Sequence, residues 1–186
     1  MVLAASLAIT ARRPTLLVDL AGDVPAALGL AEPDGPGVRD WLRSEAPASR
    51  IGALEIVAGD GLHVLACGPR GEVPPERWRP LATWFASDPR RVVVDAGEAT
   101  RVPGELLRVA SQSLLVTRAC YLALRAAMRA PIRPTGVVLV EEPGRALRHT
   151  DIEAGLGVPV VATVLLDPAV ARAVDAGLLA TRLPHG

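Results

Sequence analysis

The chain has 186 residues, enough for one well-filled core and short for two ordinary domains. Half of it is hydrophobic and only 3% is aromatic, which excludes a chain disordered throughout and points to a core of Val, Leu and Ala in layered helices and buried strands. Twenty basic residues balance twenty acidic ones, so the chain as a whole makes no electrostatic case for nucleic acid or an acidic membrane surface, although a local basic patch stays open.

Met1–Thr10 reads as an apolar, helix-like opening. It has no basic n-region and no cleavage site, so it is a poor signal peptide, and the longest apolar runs of about ten residues fall well short of a membrane span. Cytoplasmic residence is the expectation. Pro14–Leu20, PTLLVDL, is a buried-strand run that delivers Asp19–Gly22 to a loop at the sheet edge. Pro25–Leu30 suits a short helix, and Val38–Ser44 a brief amphipathic turn with Trp41 and Leu42 inward. Leu54–Val57 and Leu62–Cys67 are strand candidates around the turn signal Gly59–Gly61. A helix over Trp78–Ala86 repeats Leu81, Trp84 and Phe85 at helical spacing and stops near Asp88–Pro89.

Arg91–Asp95, RVVVD, is the clearest buried-strand signal, with Ala96 and Gly97 directly after it. Next come a helix over Gly104–Ala110, a strand over Ser113–Thr117, a helix over Cys120–Arg129, and a β-branched strand over Gly136–Val140. A weaker helix covers His149–Gly155 and a strand Pro159–Leu166. Asp167–Pro168 is a helix start with Asp as N-cap and Pro at the first helical position, and Gly177 is its stop. The alternation of strand and helix predicts an α/β fold, a mostly parallel sheet flanked by helices, in a single domain covering residues 1–186. No linker divides the chain.

The chemistry-bearing residues are sparse. Cys67 and Cys120 belong to no metal spacing. His63, His149 and His185 are isolated, which disfavours a His-based metal site, and neither Ser111 nor Ser113 sits on a nucleophile elbow. The sequence contains no Lys and no Asn; it supplies no Walker lysine, no Schiff-base lysine and no base-reading Asn. Arg101 and Arg118 come after strands and are expected as solvated flanks, as are the pairs Arg12–Arg13 and Arg90–Arg91.

Four segments in order, LLVDLAGDVPAALGL, RVVVDAG, SLLVTRACYLALRAAMR and GVPVVATVLLDPAVARAVDAG, resemble the MinD/ParA-like P-loop ATPases, including actinobacterial partitioning, septum-site and pilus-assembly relatives. The resemblance runs from Met1 to about residue 184 and implies a P-loop NTPase-like fold. It places Asp19 on the acidic position that organises magnesium and water, Asp23 on a further acidic position, Asp95 on the Walker B aspartate and Gly97 on the γ-phosphate switch glycine. Asp19 and Asp95 are thus the catalytic candidates and, through Mg-bound water, the metal candidates. Leu166, Asp167 and Pro168 fall on the late loop that lines the nucleotide base.

The departures are large. Met1–Thr10 resembles the family's first helix with the preceding strand and Walker A loop missing, and Glu141 and Glu142 stand where relatives carry a base-reading Asn. Loss of the family's central strand is expected to leave ladder groups exposed or to bring neighbouring strands together. The reading is therefore an N-terminally truncated or degenerate member, non-catalytic or regulatory, in partitioning, division-site or envelope-assembly positioning, with no cofactor of its own. The alternative is a fragment of an active ATPase whose Walker A segment lies upstream of Met1, with ATP and Mg as cofactors. Protein partners are expected, and a homodimer and non-specific DNA binding stay open; the short, Pro-bearing end after Gly177 disfavours a membrane-targeting helix.

Overall fold

The computed structural model describes residues 1–31 and 33–182. Its contacts divide the chain into two compact units, Met1–Gly97 joined by the segment from Pro168 onward, and Glu98–Asp167.

The first unit begins with helix α1 (Val2–Ile9), which packs Ala5 and Ala8 inward. Strand β1 (Thr15–Asp19) is buried at every residue, as its uninterrupted TLLVD run demands of a strand covered on both faces. The short helices α2 (Val24–Leu28) and α3 (Val38–Arg43) come next, then a 3-10 stretch over Ala48–Leu54. Strands β2 (Glu55–Gly59) and β3 (Leu62–Leu65) form an antiparallel hairpin across the turn signal, with an irregularity between Val57 and Gly59. Helix α4 (Trp78–Ser87) buries Leu81, Ala82 and Phe85 and leads to β4 (Arg91–Asp95). The sheet order is β2-β3-β1-β4, and β1 is parallel to both neighbours. Leu17, Val24, Val64 and Leu179 are at most 1% exposed in the core against α1, each such side chain contributing about 1.5–3 kcal/mol by leaving water.

The second unit holds α5 (Gly104–Val109), β5 (Leu114–Arg118), α6 (Tyr121–Arg129), β6 (Gly136–Glu141), α7 (His149–Leu156) and β7 (Val160–Leu165). Its three strands are parallel in the order β5-β6-β7. Central β6 supplies Val137 and Leu139 to a core with Ala119 and Ile152. Cys120 caps α6 by accepting the Ala123 N–H at 3.4 Å. The outer strand β7 leaves Val161, Val164 and Leu165 exposed, and no charged residue interrupts Val158–Leu166.

Helices α8 (Pro168–Asp175) and α9 (Leu179–Arg182) return to the first unit. The α/β layering expected from the alternation is present, distributed over two sheets. Among the described residues β4 pairs only with β1, and β5 only with β6, so each keeps one unpaired side. No helix among the described residues is long and apolar enough to cross a membrane. His185 lies outside the described residues.

Candidate functional site

In a parallel sheet the loops leaving the carboxyl ends of the strands carry the chemistry. The first unit brings two acidic residues to that edge: Asp19 ends β1 and Asp95 ends β4, directly opposite one another in the ladder.

Asp19 is fully buried. Its Oδ1 accepts the N–H groups of Ala21 at 2.9 Å and Gly22 at 2.7 Å, and its Oδ2 accepts that of Val24 at 3.0 Å at the start of α2. Burial pushes its carboxyl above the usual range, outweighing the three N–H donors; the nearby Asp95 adds a smaller push upward. The loop is fixed from outside as well. Leu20 donates its N–H to the Asp95 carbonyl at 2.9 Å. Arg39 donates to the Leu20 carbonyl at 3.1 Å, and Arg70 to that of Ala21 at 2.8 Å.

Asp95 is 7% exposed. Its Oδ1 accepts a long 3.4 Å hydrogen bond from Gly97, while Oδ2 has no hydrogen-bond donor among the described residues and lies 3.3 Å from the Met1 α-amino group. Gly97 turns the chain at φ +74°, a conformation that favours glycine, and a Cβ there would lie against Ala21. Asp23 is exposed at the N-cap of α2, where its side chain makes no capping hydrogen bond. The structure thus gathers Asp19, Asp95 and Gly97 at one edge, with Asp23 four residues beyond Asp19. Leu166 is 56% exposed and donates its N–H to the Glu141 carbonyl. Leu166 and Asp167 fall in the second unit, and Pro168 opens α8 in the first.

At the carboxyl ends of β5, β6 and β7 lies an open hollow of about 360 Å³, lined in part by Glu141, Glu142, Arg145, Arg148 and His149. Glu142 is engaged twice, by Arg118 at 3.1 Å and by Arg145, whose Nε donates at 2.8 Å. The Arg145 hydrogen bond holds the Glu142 carboxyl below its usual range.

The residues do not fit a magnesium nucleotide. Phosphate binding requires backbone donors or cations aimed at the phosphates. Here the N–H groups after β1 are directed at Asp19, Arg39 and Arg70 are directed at carbonyls, and the chain has no Lys. Asp19 holds a loop rather than presenting open oxygens.

One expectation for the arginines changes. Arg90, expected as a solubilising flank, grips both Glu55 oxygens at 2.7 Å and Asp88 at 2.7 and 2.9 Å. His63 joins the group through Nδ1, 3.1 Å from Glu55. Arg118 and Arg101 are exposed, as expected of solvated flanks, and each also pairs with a carboxylate, Glu142 and Glu98. Sequence reasoning misses Arg39 and Arg70 because they reach the Asp19 loop from 19 and 49 residues away; the Gly-Pro turn before Arg70 is the one local signal.

No protein-family model matches the sequence, and no curated protein does. Solved structures are similar. A ParA family ATPase from Chlorobium tepidum TLS superposes with a TM-score of 0.73 at 18% identity, covering 96% of this chain and 85% of that one. The MinC:MinD cell division protein complex of Aquifex aeolicus gives 0.75 at 18% identity, covering 95% and 80%. The Pyrococcus furiosus cell division ATPase MinD gives 0.72 at 22% identity, covering 100% and 85%. What this chain shares with them is the fold, an α/β architecture of the MinD/ParA P-loop NTPase type.

Proposed function

We propose that this chain is a non-catalytic or regulatory protein of MinD/ParA type that works by binding protein partners in partitioning, division-site or envelope-assembly positioning. The observation that carries the reading is the commitment of Asp19. Its carboxylate accepts three backbone N–H groups and ties the end of β1 to the start of α2. Metal-assisted phosphoryl transfer needs open carboxylate oxygens and a phosphate cradle, and the Asp19 oxygens are committed to their own loop instead. The division context is drawn from the similar structures, of which one is a MinC:MinD cell division protein complex, and the partitioning and envelope-assembly context from the family that the sequence resembles. The test is magnesium-dependent ATP turnover by the full chain. No turnover above buffer is expected; turnover that disappears in Asp95→Ala overturns the reading.

A second reading, an active ATPase with its phosphate loop upstream of Met1 and with ATP and Mg as cofactors, is favoured by the unpaired side of β4. Its Val92–Val94 run suits one more parallel strand, since such β-branched strands are ordinarily paired on both sides. In-frame translation of the DNA before Met1 separates the two. A strand leading into a Gly-rich, Thr-bearing loop supports the ATPase, and an early stop supports the non-enzymatic protein.

A further inference from the structure

The chain is neutral overall, but its charge is not evenly spread. Between Glu105 and Glu141 there is no acidic residue, while Arg108, Arg118, Arg125, Arg129 and Arg133 all fall there. Two of these, Arg125 and Arg129, stand one turn apart on α6. Neither has a hydrogen bond or ion pair among the described residues, in contrast to Arg118 and Arg108, which pair with Glu142 and Glu105.

Helix α6 packs Leu124 onto the core of the second unit and turns a wide face to solvent. On that face Tyr121 is 67% exposed, Leu122 72% and Met128 60%. At about 3.6 residues per turn, Arg125 and Arg129 form the middle of the exposed arc. Tyr121 and Met128 border them on one side, Leu122 and Ala126 on the other. We infer that this face of α6 docks an acidic helix of a partner protein, one that presents carboxylates a turn apart between apolar side chains. The inference rests on the partner-binding reading above and names that partner's chemistry.

The arrangement selects the partner class. A helix that lies in a membrane surface carries its apolar stripe in the middle and its basic residues at the margins; α6 has the reverse. Phosphate contacts to nucleic acid gain little from burying a Tyr, a Leu and a Met. A protein interface uses this pattern directly, because apolar neighbours that exclude water strengthen a central charge-assisted hydrogen bond.

The test begins with displayed, randomised helical peptides selected on the full chain and counter-selected on the R125E/R129E variant. The best binder, labelled, is then the probe for fluorescence anisotropy. Selected peptides are expected to share a Glu or Asp pair at i, i+4 with apolar flanks. R125E/R129E is expected to weaken the probe by at least about tenfold, Leu122→Ser by about threefold to tenfold, and R108E, off the helix, not at all. If the double reversal fails to fold by circular dichroism, R125Q/R129Q gives the same readout. Binders without an acidic pair, or equal loss in R108E, overturn the proposal. So does binding of phosphatidylglycerol vesicles or duplex DNA that R125E/R129E abolishes while no peptide is selected; the face then belongs to a membrane or a nucleic acid. ATP turnover is measured on the same preparation. Turnover with peptide binding intact sinks the non-catalytic reading alone, and absent turnover with no acidic peptide sinks the α6 surface alone.

Discussion

Asp19 and Asp95 stand opposite each other at the ends of adjacent parallel strands, yet their carboxylates live in different surroundings. Asp19 accepts three N–H groups of its own loop, whereas Asp95 has one oxygen without a hydrogen-bond donor among the described residues. Two identical side chains in register are thereby made unequal by the loops that leave their strands: Ala21 to Val24 fold back onto the first with three short hydrogen bonds, and the loop after the second offers only the long one from Gly97.

Replacing Asp19 with Ala leaves three backbone N–H groups without their acceptor and is expected to cost about 2–4 kcal/mol in denaturant unfolding. Asp19→Asn keeps an acceptor for Ala21 and Gly22 and should cost less. The carboxyl is raised in the folded state, so its contribution is fully present below the unfolded value and is lost as pH rises through the folded one. Subtracting the Asp19→Asn stability curve from that of the unaltered chain should show this fall above about pH 4; a difference that rises instead refutes the direction.

The Arg90 cluster predicts the opposite slope. The Arg90 hydrogen bond holds Asp88 below the usual carboxylate range. Its contribution is present above the unfolded value and disappears as pH falls through the folded one. Arg90→Met removes the partner of both Glu55 and Asp88, whose side chains are 10% and 5% exposed, and is expected to cost about 2–4 kcal/mol near neutrality. The loss should shrink as the solution is acidified below about pH 4; a constant loss would show that packing, not charge, is at stake.

Gly29 ends α2 at φ +73°, and a Cβ there would collide with the carbonyl oxygen of Gly177. Gly29→Ala therefore combines a left-handed conformation with a clash against backbone. A loss of about 2 kcal/mol or more is expected in equilibrium unfolding, together with loosening of the α2 and α8 contact detectable as faster amide exchange in both helices. Unchanged exchange in α8 would contradict that coupling.

Cys67 and Cys120 should part company under alkylation. Cys67 is 3% exposed and its thiol is pushed up by burial, despite the Arg39 Nε that donates to it at 3.2 Å. Cys120 is only partly buried. Mass spectrometry after iodoacetamide treatment of the folded chain is expected to find Cys120 modified at least about tenfold faster. Equal rates would mean that the β3 end opens freely.

The strands that run through the interior are legible in the sequence because nothing competes with a β-branched run ending in an aspartate. Arg91–Asp95 forms a strand with the bounds its residues indicate, and Pro14–Leu20 contains β1. Local punctuation is equally direct: Pro168 opens α8, and Gly177, at φ +64°, stands just past its end. What is not legible is whatever depends on partners distant in the chain. Arg90 looks like a flank because Glu55, 35 residues earlier, gives no sign of needing it. The 3-10 stretch Ala48–Leu54 has neither helical nor strand periodicity and leaves no signal to read. Strand–helix alternation also cannot specify which strands become neighbours, so the grouping into two sheets is beyond it. At the candidate site, residue types mark Asp19 and Asp95, while the wiring that gives Asp19 its role comes from hydrogen bonds that only the folded loop supplies.

The outermost strand of the second unit has a cost in handling the molecule. Val160–Leu165 offers a neutral, valine-rich rim with none of the lysines, prolines or inward charges by which soluble proteins discourage ribbon growth from molecule to molecule. Concentration and warmth should therefore bring turbidity before the buried strands of the first unit come apart, and the temperature at which the protein clouds will track its dilution rather than the strength of its core.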